Sequence, residues 1–211
     1  YLASLKKFPS EDQKRILTSH FITISLNDFF QLNSVSFNEL CSTLLCAFVD
    51  IMRLYAPETT YNDQTMKYYL TYLIKWLLSY QTSLAPPSSS LEIKFEYIIE
   101  RLAKSNLLSL IVGIVEDKEI LEIMHNFLNI QEEKCYEPKS EIFSNFVLII
   151  TGVLEDMTDI PTSILNVLLI HLNRKNNKDK YELCKAILVK MKNFLAAPIN
   201  ELIISNGKIN I

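Results

Sequence analysis

Catalysis needs titratable or nucleophilic side chains at workable spacings, and this sequence offers few. Its three histidines, His20, His125 and His171, never fall at the His-x-x-x-His spacing that sets two ligands on one helix face. Each is expected as a packed or surface helical histidine. Glu116, Asp117, Glu119 and Glu122 cluster, and a carboxylate pair can do acid–base work. At the start of a helix such a cluster serves the backbone dipole instead, and that is the expected role. There is no glycine-rich phosphate loop, nucleophile elbow or cysteine–histidine motif. Gly113 and Gly152 stand alone in apolar stretches and are expected to permit close helix packing. An enzyme is not expected, no metal site is expected, and no cofactor is implied.

The one concentrated charge is basic. Arg174, Lys175, Lys178, Lys180, Lys185, Lys190 and Lys192 face only Asp179 and Glu182, in a chain of net charge −3. Cys184, Ile187, Leu188, Met191 and Leu195 fall on one side of the helix expected there, and Lys178, Glu182, Lys185 and Lys192 on another. Taken singly, each lysine reads as part of a solvated face. Taken together they could receive an acidic peptide, a phosphate or a nucleic-acid backbone. Without interleaved aromatic or arginine anchors, direct nucleic-acid readout is not expected.

These residues must be held by helices. At 211 residues the chain can bury a sizeable core, and 49% hydrophobic residues exclude a disordered chain. Three glycines are too few for the tight turns of a β-rich fold. Cys41, Cys46 and Cys184 sit in helical apolar patterns, and with Cys135 they form no Cys-x-x-Cys pair, so reduced thiols of an intracellular protein are expected. No apolar run approaches the ~18–20 residues of a membrane span. The opening Tyr1-Leu2-Ala3 lacks an initiator methionine and a signal-peptide core, so the chain is expected to begin inside a longer protein.

Apolar residues at spacings of three and four predict helices over Ser10–Leu32, up to Tyr55, Asp63–Tyr80, from Leu91, Leu107–Val115, Asp117–Ile130, Glu141–Met157, after Pro161, Tyr181–Leu195, and a short one after Pro198. The stripe of the second runs Phe37, Leu40, Cys41, Leu44, Phe48, Ile51, Met52 and Tyr55. Glu141–Met157 is apolar around most of its circumference, as an inner helix of a stacked array would be. Surface loops are expected near 82–90, where Pro86-Pro87 and three serines fall, and near 131–140. About nine or ten helices joined by short turns fit a period of ~40–47 residues per helix pair.

Asp50, Ile51, Arg53, Tyr55, Ala56, Pro57 and Glu58 close the second helix, with Thr59-Thr60-Tyr61 following. This run resembles the Pds-five family of cohesin regulators, named for precocious dissociation of sisters; members usually continue Ala-Pro-Tyr after the glutamate. Further on, Asp159-Ile160-Pro161, Leu165, Val167, Leu168 and Leu172, then Tyr181-Glu182-Leu183-Cys184-Lys185-Ala186-Ile187-Leu188, are similar to successive helices of the same family. There the family commonly has two basic residues next, where this chain has Val189 and Lys190. The two matches span roughly Leu40 to Leu202.

The resemblance implies an all-α, right-handed HEAT-like helical-repeat solenoid, with residues 1–211 the N-terminal part of a longer array. It implies a nuclear, cohesin-associated scaffold that regulates sister-chromatid cohesion. Its partners would be cohesin's kleisin subunit, a Wapl-type release factor or protecting factors, and the cohesin acetyltransferase. Chromatin association would be indirect, and no membrane is involved. Another helical-repeat adaptor, such as a transport receptor or phosphatase scaffold, is the first alternative. A small helical enzyme, which would need a pocket joining His20, His125 or His171 to the carboxylates, is the lesser one. Partner binding is expected at Tyr181, Glu182, Lys185 and Lys190, where the second match coincides with the basic face. Asp50, Arg53, Tyr55 and Pro57 are expected to be structural, with Asp50 and Arg53 pairing on the helix surface or tying it to a neighbour.

Overall fold

Capping residues and apolar stripes set the element boundaries in this computed structural model, which describes residues 11, 12, 15, 35–55, 62–80, 89–128, 137–157, 160, 162–172 and 178–192. Among the described residues there is no strand. The helices are α1 (Val35–Tyr55), α2 (Asp63–Ser79), α3 (Ser89–Ser105), a 3-10 helix (Leu107–Gly113), α4 (Asp117–Leu128), α5 (Glu141–Asp156), α6 (Thr162–His171) and α7 (Lys178–Lys190). The expected fold class, all-α and HEAT-like, is the one observed. Glu11, Asp12 and Arg15 are helical; the rest of the first expected helix lies outside the described residues, as does the one after Pro198.

Local chemistry explains several of the starts. The Asn62 side chain accepts from Thr65 N–H at 2.9 Å, and Ser140 accepts from Phe143 N–H at 2.9 Å, each satisfying a donor that an open helix end leaves orphaned. At α4 the Glu119 carboxylate accepts from Glu116 N–H at 3.3 Å, half of a capping box. Glu119 of the acidic cluster therefore has a local structural task at this helix start. The helix expected over Tyr181–Leu195 begins earlier, at Lys178. Lysine is a good helix former, so the basic turn is shorter than the polarity of 173–180 suggests. The loop near 82–90 lies outside the described residues up to 88, and α3 starts at Ser89. The loop near 131–140 lies outside them up to 136; residues 137–140 then turn, with Ser140 N–H donating to Glu137 O at 2.9 Å.

The chain divides into two units, residues 1–107 and 108–211. In the first, α1 packs against α3. Phe48 of α1 meets Tyr69 of α2 with ring centroids 5.2 Å apart. Tyr80, whose N–H caps α2 by donating to Trp76 O at 2.9 Å, stacks on Phe95 of α3 at 4.7 Å. The buried arc of α1 includes Cys41, Leu45, Phe48, Val49 and Met52, whereas Leu40 is 44% exposed. Leu40 shares a face with Ile51, which is buried about three turns further on, so its exposure comes from its place near the start of α1 and not from its position around the helix.

In the second unit, α4 packs against α6, and α5 and α6 both pack against α7. Phe127 of α4 meets Phe146 of α5 at 5.4 Å. Helix α5 is covered on most sides as expected: Ile142, Phe146, Val147, Ile149, Ile150, Val153 and Leu154 are all buried. Its buried Thr151 hydroxyl donates to Val147 O at 2.8 Å, so it leaves no unsatisfied donor in the core.

Gly113 does not have the packing role expected of it. It is exposed, it closes the 3-10 helix, and a Cβ there would meet nothing within 4 Å. Its φ lies outside the left-handed region. Alanine at this position restricts the unfolded chain without a clash, so Gly113→Ala raises stability by about 0.5–1 kcal/mol. A urea midpoint that rises with unchanged slope checks this.

Candidate interaction surfaces

The helix end singled out in sequence holds a buried polar cluster. Asp50 is only 4% exposed. The Tyr97 hydroxyl of α3 lies 2.7 Å from both carboxylate oxygens, so its proton is shared between them. Arg53 Nε stands 3.6 Å from Asp50 Oδ1, and Arg101 Nε of α3 stands 3.7 Å from the same oxygen. The Arg101 guanidinium lies over the Tyr97 ring, 4.8 Å from its centroid. Burial, reinforced by the Asp50 carboxylate, pushes the Tyr97 phenol up to about 12. Asp50 thus ties α1 to α3, with Arg53 paired to it along α1. Tyr55 closes α1, and Pro57 lies outside the described residues.

Tyr97 and Arg101 were not singled out from the sequence. Their signal is present but local. They lie four residues apart, beside the apolar stripe of α3, and each alone looks like an ordinary helix-surface residue. Only packing against α1 shows that they share one carboxylate.

At the other end, α7 brings together three of the four residues expected to bind a partner. Lys185 Nζ is 3.9 Å from Glu182 Oε2 and 5.9 Å from the Tyr181 ring centroid. Lys185 and Lys190 are exposed. Lys190 lies five residues on, ~140° around the helix from Lys185, so it does not share that contact set. Exposed ion pairs and cation–π contacts are worth about 0–1 kcal/mol each. Such a set gives up its charge to an incoming group at little cost. Lys180 is half-buried, and burial lowers its ammonium pKa against the opposing pull of Cys184. The basic face is therefore not uniformly solvated.

Other expected residues carry no assembled chemistry. Among the described residues no three His, Cys, Asp or Glu side chains gather as a metal site, and no helix is long and apolar enough to cross a membrane. His125 is exposed on α4, His171 is half-buried at the end of α6, and His20 lies outside the described residues. So do Cys135, Arg174 and Lys175.

The family model for the sister chromatid cohesion protein PDS5 matches residues 42–205, a span that includes both the Asp50 helix end and the α7 face. The chain belongs to the PDS5 family. Among curated relatives of this family, the Arabidopsis thaliana sister chromatid cohesion protein PDS5 homolog E is 27% identical over 155 residues, covering 74% of this chain. Homolog D from the same plant is 23% identical over 175 residues, covering 82%. The chain spans only 14% and 20% of the length of these two relatives. A solved chain of the Pds5–Scc1 complex matches 91% of this chain, and 29% of its own length, with a TM-score of 0.67 at 20% identity. At that identity the likeness is one of fold, and the PDS5-like chain here has the same helical-repeat fold.

Proposed function

We propose that residues 1–211 form the N-terminal part of a HEAT-repeat scaffold that associates with cohesin in the nucleus and regulates sister-chromatid cohesion. It would do so by binding the kleisin subunit and release or protection factors, a Wapl-type factor among them, through short linear motifs. The cohesin acetyltransferase is a further partner, and chromatin is reached indirectly through cohesin. The observation that carries this reading is membership of the PDS5 family over residues 42–205. The shared fold with a Pds5 chain solved with Scc1, a kleisin, adds weight. The work required is binding rather than catalysis: stacked helices leave grooves in which short motifs dock through a few anchors and charge pairs.

Within this reading the α7 face, Tyr181, Glu182 and Lys185 with Lys190, receives an acidic or phosphorylated motif. Calorimetric titration with a purified kleisin fragment, and separately with a Wapl-type peptide, tests both levels. We expect the Lys185→Glu, Lys190→Glu double variant to bind one of them about tenfold more weakly. Its melting temperature should stay close to that of the parent, because both side chains are exposed. Unaltered affinity for both ligands removes the α7 assignment. A parent chain that binds neither ligand removes the kleisin and release-factor reading.

A further inference from the structure

A second surface lies in residues 108–211, and none of the α7 residues assigned above lines it. Leu121, Met124 and Leu128 of α4, with Ile164 and Val167 of α6, line a groove of about 270 Å³. Its α6 wall is built partly from short side chains, Ser163 and Val167, which leaves the space between the helices unfilled. An apolar cavity of about 150 Å³ accommodates a benzene ring, so this one has room for a bulky apolar side chain. The groove opens beside Glu122 and His125, both exposed.

The carboxylate lining the groove is Glu122, and no lysine or arginine lines it. Helix α4 carries Glu119 and Glu122 against Lys118, and α6 carries no Asp, Glu, Lys or Arg. We propose that this groove docks a short basic segment of a partner protein. One bulky apolar residue is buried between α4 and α6, and a flanking lysine or arginine pairs with Glu122. Burying the anchor removes apolar surface from water on both partners. The acidic lip draws basic flanks and repels acidic ones. A second copy of the chain is a poorer occupant. A two-fold contact centred on the groove brings the two Glu122 carboxylates toward each other, where like charges oppose association.

Selection of short random displayed peptides against the full chain tests this without presupposing a partner. The selected peptides should share a bulky apolar residue next to lysine or arginine. Their affinity, read by fluorescence anisotropy, should fall about tenfold or more in Glu122→Lys and in the groove-filling Val167→Trp. Circular dichroism reports whether each variant folds. If Val167→Trp does not, the exposed Glu122→Lys carries the test. Three outcomes would overturn the proposal. One is selected peptides with acidic flanks, another is affinity unchanged in the folded variants. The third is light scattering that shows a dimer dispersed by Glu122→Lys. Failure here leaves the kleisin titration untouched, since that test reads α7.

Discussion

Asp50→Ala lowers the stability of the chain by about 2–4 kcal/mol, well above the usual cost of losing a surface ion pair. The carboxylate is buried and receives the Tyr97 hydroxyl at 2.7 Å, and two arginines approach it from α1 and α3. Removing it leaves two guanidiniums facing each other across the α1–α3 contact, and a phenol with no acceptor. The arginine side chains keep 19% and 21% exposure, so water recovers part of the loss, and the figure falls below that of a fully enclosed pair. Asp50→Asn keeps an acceptor for Tyr97 and loses only the charge, so it costs about half as much. Tyr97→Phe combined with Asp50→Ala should cost less than the sum of the two single changes, because the partners share one interaction. Chemical denaturation of the parent and these four variants measures the differences. An Asp50→Ala protein within about 0.5 kcal/mol of the parent would show that the cluster does not hold α1 to α3.

Stability falls steeply on the alkaline side, and the buried thiols are a main cause. Burial pushes Cys184 up to about 12, with Lys180 pulling the other way. It pushes Cys46 up to about 12 and Cys41 up to about 11. Each folded value lies above the ordinary thiol value of 9.0. The folded state therefore holds its protons where the unfolded chain has released them. The contribution is fully present below pH about 9 and is lost as pH rises through about 11 to 12. Each pH unit in that window is worth about 1.4 kcal/mol per thiol, so Cys184 alone, with no exposure, carries on the order of 4 kcal/mol across it. The Tyr97 phenol acts in the same direction between about 10 and about 12. Urea midpoints measured from pH 7 to 11 should fall more steeply in the parent than in Cys184→Ala, even though the variant starts lower at pH 7. Parallel curves would mean that Cys184 ionises in the folded chain as it does in the unfolded one.

The legibility of this protein in its sequence followed the range of the interactions involved. Helix boundaries rest on contacts within a few residues, as at Asn62 and Ser140. Both lie next to the starts that the apolar pattern indicates, Asp63 and Glu141. The near-continuous burial of α5 followed in the same way from an apolar pattern that leaves little polar surface to face water. Family membership was readable at Asp50–Glu58 and Tyr181–Leu188 because residue identities in order carry it without any reference to packing. The α7 cluster of Tyr181, Glu182 and Lys185 was also local, being set by spacings of three and four.

What the sequence could not determine lay between helices. Asp50 and Arg53 were compatible with a surface pair or a tie to a neighbour. Only the approach of Tyr97 and Arg101, about fifty residues away in the chain, made Asp50 a tie, while Arg53 pairs with it along α1. Gly113 looked like a packing glycine until the open space around it was known. Glu119 served the start of α4 in sequence and structure alike, whereas Glu122 gained another setting once α6 lay opposite. A helical pattern states which residues share a face. What that face meets depends on residues far away in the chain, and those encounters are decided by the tertiary structure.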